Sequence, residues 1–320
     1  MKTPLLSVRE LSVEFQTPAG RIRAVDRVSF ELHKGETLAL VGESGCGKST
    51  LARAVVGLVP ITNGSVRYAD REITGKSRAE LRPVRQKLQL VFQDPYASLN
   101  PRLTISAILE EPLLLHRRLS GKSADERVCE LLEQVGLDPS LRTRYPHEFS
   151  GGQRQRISVA RALAVGPELL LCDEVTSALD VSVQAQMLEL LSGLQERLGL
   201  SYLFITHDLG VVRSIAHRIA VMYLGQIVEL SATEEFFEKP LHPYSEGLLS
   251  SIPRLRVLQG GPRTLMQGEV PSPARPPPGC RFHTRCPRRF EPCSLAEPAA
   301  YAVGDRLSRC FLHHPEPPSK

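Results

Sequence analysis

LLSVRELSVEF and RIRAVDRVSFEL, within residues 5 to 41, alternate apolar and polar positions, the period-two pattern of strands with one buried face. Lys34-Gly35-Glu36 then makes a turn, and TLALVG follows as a short unbroken apolar run of buried-strand type that opens directly into a glycine-rich loop. STLARAVVGLV, after Lys48, has helical spacing, and NGSVRYADREI reads as a hairpin turning at Asn63-Gly64. Between residues 104 and 140 the apolar positions of ISAILEEPLLL and ERVCELLEQVGL recur at helical intervals, and QRQRISVARALAV predicts a further helix. ELLLCDE and SYLFITHD are two more buried strands, and RIAVMYLGQIVEL is a hairpin. No internal repeat is present, so the first 240 residues encode one copy of a single device.

Composition changes this picture mainly after Pro240. Twelve of the 25 prolines lie between Arg254 and Lys320, which predicts a loop-rich segment and excludes a helix bundle there. The same segment holds eleven Lys or Arg against five Asp or Glu, a balance of +6, so the other residues sum to −1 of the chain's +5. Such a basic tail is suited to nucleic acid, anionic lipid or an acidic protein surface, or is simply solvated. The 320 residues, 42% hydrophobic, are enough for a sizeable core and more than one domain. No run approaches the roughly 18 apolar residues of a membrane span. Arg9 and Glu10 interrupt the place where a signal peptide needs an apolar stretch, so a cytoplasmic chain with reduced thiols is expected.

The chemistry begins with GESGCGKST, which fits G-x-x-x-x-G-K-[ST] and stands between an apolar strand and a helix. Gly42, Ser44, Gly45, Cys46, Gly47, Lys48, Ser49 and Thr50 form the candidate phosphate cradle. The glycines let successive N–H groups turn inward beneath phosphate oxygens, at the positive end of the next helix. Lys48 would neutralise the β- and γ-phosphates of a nucleotide, and the Ser49 hydroxyl would ligate Mg²⁺; Cys46 reads as a small filler. Asp173, at the end of the strand LLLC, would reach the Mg²⁺, and Glu174 beside it would polarise an attacking water. Ser150, Gly151, Gly152 and Gln153 offer a hydroxyl, bare backbone N–H groups and a helix start, a second anion site when they do more than cap that helix. One nucleotide needs no second site, so these residues are expected to serve the nucleotide of a partner subunit.

From about residue 5 to 235 the sequence resembles the ATP-binding-cassette ATPases: GESGCGKS looks like Walker A, LLLCDE like Walker B and SGGQ like the family signature. The resemblance implies an α/β fold, a P-loop NTPase (RecA-like) core with an antiparallel β subdomain and a helical subdomain, followed here by a loop-rich, cysteine-containing C-terminal extension. It divides the chain into a nucleotide-binding domain at 1–240, with the helical subdomain at about 95–165, and an extension at 241–320. It also implies roles for single residues. Gln93 in LVFQDP senses Mg²⁺ and contacts the membrane partner, Asp180 closes the D-loop Ser177-Ala178-Leu179-Asp180, His207 in FITHD is the switch histidine at the γ-phosphate, and Phe15 stacks on adenine. Phe149 stands where leucine is usual and Val175 where proline is usual, and neither removes a phosphate or metal ligand.

LHPYSEGLLSSIP, then GCRFHTRCP and a later cysteine, look like the C-terminal extension of oligopeptide/dipeptide importer ATPases. That likeness implies an ATPase on the cytoplasmic face of the inner membrane, peripheral to it, paired with a second ABC ATPase subunit, as a heterodimer, and working on two transmembrane permease subunits and an extracytoplasmic peptide-binding protein. Two cassettes would close on two ATP molecules, with Glu174 as base and His207 as positioner. An export permease as the membrane partner stays open. The alternative from another class is a soluble ABC-type ATPase acting on nucleic acid with a zinc-bearing basic tail. One cassette per chain, a compact helical segment and a tail without interleaved aromatics argue against it, so no nucleic acid is expected.

Cys280, Cys286, Cys293 and Cys310 are spaced C-x₅-C-x₆-C-x₁₆-C, without the close pair usual in zinc knuckles. A [4Fe–4S] cluster, which some peptide-importer ATPases carry in this extension, zinc, or free thiols remain the readings. Arg281, Arg285, Arg288 and Arg289 would offset thiolate charge, and His283, His313 and His314 are possible substitute ligands or solvated tail histidines. Without metal, a tail this poor in apolar residues is expected to be floppy.

Overall fold

The computed structural model describes residues 3–18, 20–251, 266 and 268–314. The chain opens with β1 (Leu6–Thr17) and β2 (Gly20–Leu32), runs through β3 (Thr37–Val41) into α1 (Lys48–Val55), and returns as β4 (Asn63–Tyr68) and β5 (Arg71–Glu72). Its middle forms α2 (Arg78–Lys87), β6 (Leu88–Val91), α3 (Pro95–Ser98), α4 (Ile105–Pro112), α5 (Lys122–Gln134), α6 (Gly151–Leu163), β7 (Leu169–Asp173), α7 (Val181–Leu198) and β8 (Ser201–Ile205). Then come α8 (Leu209–Ile215), β9 (Arg218–Tyr223), β10 (Gln226–Ala232), α9 (Thr233–Glu238), α10 (Pro243–Ser250), β11 (Tyr301–Val303) and β12 (Arg306–Ser308).

These elements form two compact units, one of Met1–Leu5, Leu32–Thr37 and Gly75–Thr206, the other of Leu6–Glu31, Leu38–Thr74 and His207–Lys320. In the first, β6, β7 and β8 pair in parallel, with Val91 opposite Cys172 and Cys172 opposite Phe204. β7 and β8 are buried at every position, which is why their sequences are unbroken apolar runs and do not alternate. The helices α2 to α7 belong to the same unit. Sequence reading had no element at α2 or β6. A capping box starts α2, with the Glu80 N–H donating to Ser77 Oγ (3.3 Å) and the Ser77 N–H to Glu80 Oε2 (2.9 Å).

The second unit carries an antiparallel sheet in the order β2-β1-β4-β5. Its other strands run β3-β9-β10-β12-β11, with β3 and β9 parallel and the remainder antiparallel. One turn differs from the sequence reading. The β4–β5 hairpin turns at Ala69-Asp70, with Ala69 at φ 49°, whereas Asn63-Gly64 lies at the start of β4. Gly64, at φ 87°, sits where the β1–β4 register shifts, and a Cβ there would lie 2.3 Å from the Glu10 carbonyl oxygen. The glycine serves close strand approach at a bulge.

The described part of the extension is anchored by more than its thiols. β12 extends the sheet from β10, pairing Glu229 with Ser308 and Leu230 with Leu307. Phe282, 1% exposed, joins the core of Val41, Ile219, Val221, Tyr223 and Tyr244. Burial of that ring and two added strands offset ordering entropy that the sequence reading had left to a metal alone. No helix among the described residues is long and apolar enough to cross a membrane.

Candidate nucleotide site and four-cysteine loop

In the second unit the phosphate loop leaves β3, whose five residues are all buried, and ends at α1, with Gly47 as N-cap. Gly42, Gly45 and Gly47 have φ of 155°, 78° and 108°. A Cβ on Gly42 would lie 2.2 Å from the Met222 carbonyl oxygen, and one on Gly47 2.1 Å from that of Ala24, so here glycine answers both conformation and space. Lys48, 5% exposed, donates from Nζ to the carbonyls of Gly42 (2.8 Å) and Glu43 (3.1 Å), which sets an ammonium inside the loop. Cys46 is buried, and burial pushes its thiol up, in keeping with a filler. Ser44 is exposed, while Ser49 and Thr50 are half-buried on the first turn of α1. Phe15 lies on β1, 38% exposed, and His207 is exposed just ahead of α8.

The carboxylates and the SGGQ segment belong to the first unit. Asp173 closes β7 and is buried. Glu174 follows at φ 51°, a left-handed conformation unusual for a side chain of its type and a mark of functional positions. Its N–H donates to the Ile205 carbonyl (3.0 Å), its own carbonyl accepts from Ser177 Oγ (2.9 Å), and Gln93 Nε2 donates to Glu174 Oε2 (2.9 Å). The structure therefore brings Gln93 and Glu174, 81 positions apart in the sequence, together.

Ser150 caps α6 in a capping box. The Gln153 N–H donates to Ser150 Oγ (3.3 Å), and the Ser150 N–H to Gln153 Oε1 (3.0 Å). The segment thus caps its helix, as the ordinary reading has it. Gly151 has open space at its Cβ position, whereas a Cβ on Gly152 would lie 2.4 Å from Val183 Cγ1 at the start of α7. Asp180 precedes α7 as its N-cap residue. Phe149 and Val175, the two departures from family usage, are both buried.

Among the four tail cysteines, Cys293 and Cys310 are buried and Cys280 and Cys286 half-buried. Burial pushes the Cys280 thiol up to about 12 and that of Cys310 to about 11, and it raises Cys286 as well. Neighbouring cysteines add to each of these shifts, so the four lie within electrostatic reach of one another. Nearby backbone N–H groups act in the opposite direction and lower Cys280, Cys286 and Cys310 in part. Among the described residues no three His, Cys, Asp or Glu side chains converge to hold a single metal ion.

Of the arginines and histidines expected at this loop, Arg289 is exposed and the others hold partners within the fold. Arg281 pairs with buried Asp26, Arg285 with Glu43 and Arg288 with Glu246. The Arg288 charge lowers Cys286 and Cys310. His283 Nδ1 meets the Cys280 carbonyl (2.8 Å), His313 Nε2 meets the Leu241 carbonyl (2.9 Å), and His314 packs edge-on against Tyr301. Arg306 joins fully buried Glu229 (3.1 Å), so much of the tail's positive charge is neutralised within the fold. Burial drives the His242 imidazole down to about 3; it accepts the Tyr244 N–H (3.0 Å) and stays neutral. Cys172 is buried, as its strand implied, while Cys129 is half-buried.

Sequence reading passed over Glu43 and Tyr244 and assigned Arg285 to the thiolates, whereas its partner is Glu43. A signal for them was present. A carboxylate inside an anion-binding loop calls for a cation to neutralise it, and the arginine excess of the tail was the place to look.

With this geometry in hand, the comparisons with known proteins fall into line. The ABC transporter family profile matches residues 25–177, and that of the oligopeptide/dipeptide transporter C-terminal region matches residues 228–293. The oligopeptide transport ATP-binding protein AppF of Bacillus subtilis is 54% identical over 276 residues, covering 85% of this chain and 84% of the relative. The oligopeptide transport ATP-binding protein OppF of Escherichia coli is 48% identical over 311 residues, covering 92% of each. A solved dimeric ATP-binding cassette in a post-hydrolysis state, bound to ADP and Pi, superposes with a TM-score of 0.66 at 30% identity, covering 71% of this chain and 98% of that one. The chain belongs to the ATP-binding-cassette transporter family, as an ATPase with the P-loop NTPase fold, and it carries the C-terminal region found in the family's oligopeptide/dipeptide transporters.

Proposed function

We propose that this chain is the ATP-hydrolysing, energy-coupling subunit of an importer for di- or oligopeptides. It works as one of a pair of cassettes on separate membrane-spanning permeases. The observation that carries the catalytic part is Glu174: a carboxylate at the end of a buried strand, held at positive φ and bonded to Gln93 at 2.9 Å. The peptide-import part rests on the matched C-terminal region and the relatives named above.

In this reading Lys48 and the loop amides receive the ATP phosphates, Phe15 meets the adenine, and Glu174 takes a proton from the attacking water. His207 orients the γ-phosphate. Ser49 and Asp173, a hydroxyl and a carboxylate, are hard oxygen donors suited to Mg²⁺, and Gln93 is its sensor. When bound, Mg²⁺ supplies charge neutralisation at the transferred phosphoryl group. Ser150, Gly151, Gly152, Gln153 and Asp180 face a partner cassette, which the dimeric form of the solved relative supports. We read residues 1–240 as the cassette, about 95–165 as its helical subdomain and 241–320 as the extension. The complex would lie on the cytoplasmic face of the inner membrane, with a second, homologous cassette, two permeases and an extracytoplasmic peptide-binding protein. The internal pairing of Arg281, Arg285, Arg288 and Arg306 weighs against a nucleic-acid surface on the tail. In detergent, the tagged chain should co-purify with two multi-span proteins and a second cassette; isolation with nucleic acid and without them overturns the reading.

For the cysteine loop we propose a [4Fe–4S] cluster. The support is the donor set: four buried or half-buried thiols whose charges influence one another. Zinc is set aside on the spacing, which lacks the close cysteine pair usual in zinc knuckles. Anaerobically purified chain should contain about four iron atoms and absorb near ~400 nm. Stoichiometric zinc, or colourless metal-free protein with four free tail thiols, contradicts the cluster.

A further inference from the structure

Glu43 stands at an x position of the phosphate-loop pattern, yet four residues hold it. Arg285 donates to both of its carboxylate oxygens, Nη1 to Oε2 at 2.8 Å and Nη2 to Oε1 at 3.0 Å. Its backbone N–H donates to the Tyr244 hydroxyl at 3.0 Å. Its carbonyl accepts from Lys48 Nζ (3.1 Å) and from the Cys46 N–H (3.3 Å). The first two grips come from separate parts of the C-terminal extension, α10 and the cysteine loop.

Both grips are themselves braced. Tyr244 is fully buried, with its ring 4.7 Å from that of Tyr223 and 5.4 Å from that of Phe282. Its N–H is bonded to His242, whose own N–H donates to buried Glu229 (2.8 Å). Arg285, 8% exposed, reaches the Tyr223 hydroxyl (3.4 Å), and its N–H bonds the Phe282 carbonyl (3.0 Å), one residue before Cys286. A bidentate guanidinium fixes orientation as well as charge. Two consequences follow for an anion arriving at this loop. The Glu43 charge, which would repel phosphate, is neutralised. A loop containing three glycines at positive φ, with large conformational freedom to lose, is held in one form before the nucleotide arrives.

We propose that the C-terminal extension is part of the ATP-binding device, with Arg285 and Tyr244 as positioning residues that neutralise and hold Glu43 and, through its carbonyl, Lys48. This rests on the loop Gly42–Thr50 being the ATP site. The test is titration of the full-length chain with a fluorescent ATP analogue, together with KM and kcat for ATP in the assembled complex. Arg285→Gln should weaken ATP binding about tenfold and Tyr244→Phe about threefold, the change falling on KM. In a Glu43→Gln background, Arg285→Gln should shift ATP affinity by less than about twofold, because the charge it neutralises is gone. Unchanged affinity in both single variants, or an Arg285→Gln effect of equal size in both backgrounds, overturns the proposal. Tyr244→Phe loses only a hydroxyl and decides the matter alone if Arg285→Gln does not fold. If the unaltered chain does not bind the analogue, it is the ATP-site reading that fails; binding there with indifferent variants removes only the positioning role.

Discussion

Glu174→Gln is expected to leave ATP bound while steady-state hydrolysis falls by about a hundred- to ten-thousandfold, the range lost with a general base. The substitution keeps shape and one hydrogen-bonding oxygen, so the contact with Gln93 at 2.9 Å and the backbone bonds to Ile205 and Ser177 have no reason to change. Only the ability to take a proton from water is lost. The residue's left-handed backbone, φ 51°, is compatible with the amide, and β7 beneath it is buried throughout. Phosphate release measured beside retention of labelled ATP separates the two steps. Release within a few-fold of the unaltered chain would remove Glu174 from the role of base.

Gly47→Ala is expected to abolish useful ATP binding, weakening it by more than about 100-fold, or about 2.7 kcal/mol. A Cβ at this position would lie 2.1 Å from the Ala24 carbonyl oxygen and 2.9 Å from Met222 Cε, at φ 108°. The nearest obstacle is backbone, so relief means moving the loop and with it the start of α1 and Lys48. Gly45→Ala is the informative contrast. Its φ of 78° is also left-handed, but nothing lies within 4 Å of its Cβ position, so only backbone strain of about 1–2 kcal/mol is added. Nucleotide titration of the two variants should therefore rank Gly47→Ala far below Gly45→Ala. Equal losses would mean that conformational preference, and not contact with Ala24, governs the loop.

The parts of this molecule that were legible in its sequence are those whose chemistry is local. Gly42 to Thr50 and Asp173-Glu174 are contiguous, so a strand, a loop and the residue types at fixed offsets were enough to read them. Ser150 to Gln153 could be read as a helix cap and as an anion site at once, and the fold shows the capping box directly. What stayed hidden depends on partners distant in sequence. Arg285 and Glu43 are 242 positions apart, and Arg281 and Asp26 are 255 apart; no periodicity or spacing joins them. For that reason the tail's arginines looked like free positive charge, or counter-charge for thiolates, when several are ion-pair partners of buried or loop carboxylates. Asn63-Gly64 was misread for the opposite reason. The dipeptide is a strong local turn signal, and close packing of β4 on β1 at a bulge overrode it.

Peptide uptake into proteoliposomes, with the chain assembled on its permeases and partner cassette and the peptide-binding protein supplied outside, tests the central claim most directly. Peptide accumulation should require ATP on the cassette side, follow phosphate release, and disappear with Glu174→Gln while ATP stays bound. Brisk, Glu174-dependent ATP hydrolysis with no peptide accumulated in the vesicles would contradict it.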